Sequence, residues 1–172
     1  MAAQTEHRLI RRVAEIEKIP PSLVRDLHAY WLSKQDLQGG PGSLPAWADI
    51  QPAEIRRLLP NLIVAGIDHD PFRVRYRLAG TQIVEFRGEI TGHCLGEVPW
   101  SSPAGQAVVM EGFKRVVAER IPLFSEVDIT TRNGAHHQIF TGVWPLAPTP
   151  DAPIDRCLAL EDYGALSRDE FI

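Results

Sequence analysis

Up to Pro60 the apolar positions recur at helical spacing, and over most of the chain beyond it they alternate. Leu9, Val13, Ile16 and Ile19 stand at that helical spacing among charged residues, which predicts a first helix over residues 6–19, stopped by Pro20-Pro21. Ser22 suits the N-cap of a second helix, SLVRDLHAYWLSK, with Leu23, Leu27, Tyr30 and Trp31 among its apolar positions. Residues 35–48 are rich in Gly and Pro and predict a loop. A connection of that length marks an edge between the N-terminal helices and the main domain. A short helix follows over Pro52 to Leu59, with Pro52 in its first turn and Pro60 just past its end.

After Pro60 the strands begin. Leu62 to Asp68 is a short apolar run, and His69-Asp70-Pro71 makes a turn. Arg73 to Leu78 then alternates, with Val74, Tyr76 and Leu78 on one face and Arg73, Arg75 and Arg77 on the other. Residues 80–100 carry Gly80, Gly88, Gly92 and Gly96 and predict irregular, partly helical backbone. Residues 103–120 form the best amphipathic helix, with Val109, Phe113, Val116 and Val117 as its apolar stripe. Leu123–Thr131 and His136–Leu146 flank the hairpin signal Asn133-Gly134, and Cys157–Tyr163 is a last strand before a polar tail. Tight turns between strands exclude a parallel doubly wound sheet. The prediction is an α+β fold: a five-stranded antiparallel sheet with helices on one face, plus N-terminal helices. Its parts are a helical extension at 1–34, a loop and short helix at 35–60, a core at 61–165 and a tail at 166–172.

Bulk composition narrows the partners. A chain of 172 residues with 44% apolar and 23% charged residues has the make-up of a globular protein. Its net charge of −4 gives no electrostatic reason to expect nucleic acid. Two cysteines, Cys94 and Cys157, make no disulfide framework and fit a reducing cytoplasm. No run of about 18 apolar residues occurs, so no membrane span is expected.

The order strand, strand, small helices, long helix, three strands resembles the PAS fold, and YRLAGTQIVEFRGEITGHCLGE looks like its core. Upstream, Tyr30-Trp31, Leu44-Pro45 and the set Pro52, Ile55, Leu59-Pro60 resemble one bacterial PAS subfamily; the likeness covers about residues 27–163. It implies sensing or protein–protein signalling rather than catalysis. Gly80 and Gly92 match the family glycines before the small helices and before the long helix, Thr81 follows Gly80, and Arg77 falls in the YRL-x-GT string, where an internal polar contact is expected.

The interior is the expected ligand site. Phe86, Cys94, Phe113, Val117, Val127, Ile139, Thr141 and Val143 are the residues that could line a cavity between helix and sheet. Cofactors are not favoured. Light-sensing relatives hold flavin beside an Asn-Cys-Arg-Phe-Leu-Gln run, whereas here Cys94 stands between His93 and Leu95-Gly96. Haem-binding relatives take a proximal His from the long helix, and residues 103–120 contain none. His136-His137 opens a strand, where adjacent side chains point to opposite faces and cannot share a metal. No catalytic motif appears, so no catalytic or metal-binding residue is assigned. The expected protein is a cytoplasmic homodimer that binds a small apolar ligand or a signalling protein. Two rivals are a small enzyme on a curved-sheet cone and a ligand-free scaffold. The first predicts convergent polar groups in the interior, the sensor a mostly apolar one.

Overall fold

A computed structural model describes residues 9–98, 103–131 and 133–171. One antiparallel sheet organises them, built from β1 (Leu9–Val13), β2 (Leu62–His69), β3 (Phe72–Ala79), β4 (Leu123–Thr130), β5 (His136–Leu146) and β6 (Arg156–Asp162). The spatial order is β1-β4-β5-β6-β2-β3. Five of these strands are the expected ones. The sixth, β1, replaces the described part of the helix predicted over residues 6–19, leaving a single turn at Ile16–Lys18; residues 6–8 lie outside the described residues. Pairing along β4 overrides the helical spacing here. Arg12 holds the strand down, donating to Ser125 Oγ at 2.6 Å and to the Val108 carbonyl at 3.0 Å. Gly112 of helix α3 (Pro103–Glu119) leaves the room, since a Cβ there would lie 2.8 Å from Arg12 Nη2.

The strand register sorts the helices onto two faces. Adjacent residues point oppositely. Ser125, Thr141 and Glu161 line up across β4, β5 and β6, and define an inner face. Helix α3 reaches it through Arg12 on Ser125, and helix α2 (Thr81–Arg87) through Arg87 on Glu161. Phe124, Trp144 and Asp162 point the other way and meet α1 (Leu23–Leu37). The second predicted helix is therefore α1, and it covers the outer face with Val24, Leu27 and Trp31 buried. Ser22 occupies its N-cap position, but the acceptor for the Leu23 N–H is Asp162 Oδ2, at 2.8 Å.

Three further expectations change. The helix expected over Pro52–Leu59 is present only as 3-10 turns at Pro52–Glu54 and Leu59–Asn61. The polar tail contains buried Leu166 and a short helix α4, Arg168–Phe171. Leu78 does not face inward with Val74 and Tyr76: Val64 pairs with Leu78 and Ala65 with Tyr76, so Arg77 is an extra residue on β3. The bulge turns Leu78 to the outer face, where it is 44% exposed.

One titration follows from the outer layer. His28 accepts a hydrogen bond at Nδ1 from Trp144 Nε1 and packs edge-on against Phe124. Burial lowers its pKa, and Glu17 only partly opposes that. A base with a depressed folded pKa leaves stability intact above its unfolded value, about 6.5, and removes it as pH falls through that value. Melting temperature is expected to drop between about pH 7 and pH 5, and less so in His28→Gln. Equal drops in both proteins would exclude His28 as the cause.

Candidate functional site

The inner face is largely apolar, crossed by one polar row of Ser125, Thr141 and Glu161, of which Glu161 is the charged member. Glu161 extends the alternation of Cys157 and Ala159, so β6 directs a carboxylate under the helices. Gly80 fixes where α2 begins. Its N–H donates to the Leu62 carbonyl at 2.8 Å, and a Cβ at that position would collide with the Leu59 carbonyl oxygen. From there α2 buries Ile83 and Phe86 and brings its last residue, Arg87, to Glu161. Arg87 Nη2 lies 2.9 Å and Nε 3.0 Å from Glu161 Oε2. The Tyr163 hydroxyl donates to the same oxygen, and the Tyr163 ring stacks on Phe86 at 3.9 Å.

Both charged side chains are largely removed from water, at 7% and 14% exposure. Burial alone would make the Arg87 guanidinium easier to deprotonate. Glu161 and Tyr163 outweigh that and hold its pKa above the ordinary value. Burial first, then the charge of Glu161, pushes the Tyr163 phenol well up, and the same two causes raise Tyr76. Both phenols therefore stay protonated and act only as uncharged hydrogen-bonding groups.

The eight predicted pocket residues divide around this cluster. Phe86, Phe113, Val127 and Ile139 fall into one buried core, and Val117 and Val143 pack partly buried against it. Thr141 shares the cross-strand row with Glu161. Cys94 is buried outside that core, in a short bridge beside β3 opposite Arg75, with its N–H donating to Glu97 Oε2 at 2.7 Å. Thr81 opens α2 and is exposed, and Gly92 turns the chain with φ +88°. Arg77 makes no internal contact of the kind expected: it is exposed and lies over Gly66 on the outer face, where alternation places it with Arg73 and Arg75. None of the eight lines the shallow cleft of about 180 Å³ between the end of β1 and α3, which is walled by Arg12, Val13, Arg115, Ile121 and Leu123, among others. Sequence reasoning missed Arg87, Glu161 and Tyr163. The signal was a carboxylate at an inward position of the run CLALEDY.

Among the described residues no group of three His, Cys, Asp or Glu side chains is placed to hold a metal ion. His136 begins β5 with Nδ1 at 3.2 Å from Thr130 Oγ1. Among those residues no helix is long and apolar enough to cross a membrane.

A model of the PAS domain family matches residues 20–158. The chain belongs to the PAS domain family. No curated protein matches it. The PAS match takes in α1, α2, α3, the strands β2 to β5 and the start of β6, so α1 falls within the family pattern, whereas β1 precedes it. Arg87 lies inside the matched stretch, and Glu161 and Tyr163 just beyond it. PAS domains serve generally as sensory and interaction modules.

Proposed function

We propose that this PAS domain is a cytoplasmic sensor that takes a small ligand between its inner sheet face and helices α2 and α3, and signals through protein contacts. The observation that carries the reading is the mixed lining of that face. Val127, Ile139 and Phe113 offer apolar surface, and Thr141 and the Arg87–Glu161–Tyr163 cluster offer a polar end on the same cross-strand row. A mostly apolar molecule with one polar end matches such a lining. Binding would favour one packing of α2 and α3 on the sheet, and output would pass to a signalling partner or a second copy by population shift. Exposed Leu32 and Leu37 on α1 support a homodimer contact on the outer side.

The polar cluster is also what a small enzyme would display. Against catalysis stands the engagement of Glu161: it accepts from Arg87 and Tyr163, and neither phenol is poised to ionise. Thermal melting against a metabolite panel, with an absorption spectrum of the purified protein, tests the reading. Stabilisation by a largely apolar metabolite, diminished in Thr141→Val and Val143→Phe, is expected. Turnover of that metabolite would favour the enzyme, colour would point to flavin or haem, and an unmoved melting curve would leave a ligand-free scaffold.

A further inference from the structure

Among the described residues, the outer face of the sheet leaves its β2–β3 corner exposed at Arg73, Arg77 and Leu78. Arg73 and Arg75 oppose Asp68 and Gly66 in the β2–β3 register, and alternation puts Arg77 on the same side, just before the bulge turns Leu78 there as well. Arg156 of β6 stands opposite Gly66 on the other flank. Gly66 is the floor between them: with no side chain of its own, it leaves the space that Arg77 occupies, and a Cβ there would meet Arg77 Nε at 2.8 Å. Four guanidinium groups thus gather on one patch. Two of them are held in place, Arg75 donating to the Gly92 carbonyl at 3.1 Å and Arg156 lying 5.3 Å from the centre of the Trp47 ring. Asp68 and Asp155 return two negative charges, the second at 3.9 Å from Arg156 Nε. Arg73, Arg77 and Leu78 are exposed, so water and any partner reach the patch.

We propose that this corner of β2, β3 and β6 is the docking surface for an extended acidic segment of a partner protein. The proposal rests on the signalling reading above and gives its partner a chemistry. Side chains on one face of a strand recur at roughly 7 Å, the same repeat as alternate residues of an extended peptide. A segment with Asp or Glu at every second position therefore meets Arg73 and Arg75 in step, and Arg77, folded over Gly66 beside Arg75, adds a third guanidinium to the carboxylate row. Leu78 and the Trp47 ring supply apolar ground beside the charges, a mixture of Arg, aromatic and aliphatic side chains found at protein interfaces. Nucleic acid is the weaker fit, because the basic groups form one compact patch on a chain of net charge −4.

The test uses the full chain and a fluorescent peptide of alternating Glu and Val, read by anisotropy, with an alternating Lys and Val peptide as its opposite. Saturable binding of the Glu peptide alone is expected. Arg73→Ala/Arg77→Ala is expected to weaken it roughly tenfold, since exposed charge pairs are individually modest. Arg56→Ala/Arg168→Ala removes the same charge elsewhere and is expected to leave it unchanged. Equal loss in both double variants, no binding at all, or tighter patch-dependent binding of a single-stranded oligonucleotide each overturns the proposal. Ligand-induced stabilisation of the interior does not pass through these arginines. If it persists where peptide binding fails, the surface assignment falls alone.

Discussion

Glu161→Ala is expected to destabilise the protein by about 3–5 kcal/mol, the usual cost of removing one member of a buried ion pair. Two losses combine at one atom. Arg87 keeps a guanidinium almost out of water without its carboxylate, and the Tyr163 hydroxyl loses its acceptor. Glu161→Gln keeps an acceptor oxygen and is expected to fall between wild type and alanine. The joint variant Arg87→Met/Glu161→Leu removes both charges and is expected to recover most of the loss, because a buried pair seldom outperforms apolar side chains of similar volume. Urea unfolding read at unchanged slope measures each difference. If Glu161→Ala stays within about 1 kcal/mol of wild type, the pair is solvated in practice and the polar end of the proposed ligand site disappears with it.

The cluster also marks where sequence reading reached its limit. The hairpin signals at Asn133-Gly134 and at Asp70-Pro71 are local chemistry, and both strand pairs formed where they stood. Phe113 and Ile139 were legible because their periods match the elements that bury them. Glu161 was not, because its partner lies 74 residues away and only the sheet order brings α2 over β6. The same holds for β1. Its five residues carry apolar spacing compatible with either period, and the deciding contacts, to Ser125 and Val108, come from elements about a hundred residues later. Leu78 failed for a third reason. Alternation assigns a face only while the ladder is regular, and a single extra residue on β3 sent Leu78 outward.

Trp31→Ala is expected to cost about 3–5 kcal/mol, a value typical of emptying a large aromatic site in a core. The number matters for what α1 is. An appended helix would lose a tryptophan cheaply and could come away while the sheet stayed folded. Here Trp31 is 2% exposed, donates through Nε1 to the Pro145 carbonyl at 3.0 Å, and stacks in line with His28 above Phe124 and Trp144. The Trp144 ring in turn lies over Gly142, where any Cβ would collide with it. The outer face is thus a second packed layer, and truncating Trp31 also leaves a buried carbonyl without its donor. Unfolding of the variant is expected to remain one cooperative transition, shifted down, when followed by tryptophan fluorescence and by far-ultraviolet circular dichroism together. Two separated transitions, the first with loss of helix only, would instead make α1 an independent unit. Signals would then pass through its release rather than through repacking against the sheet.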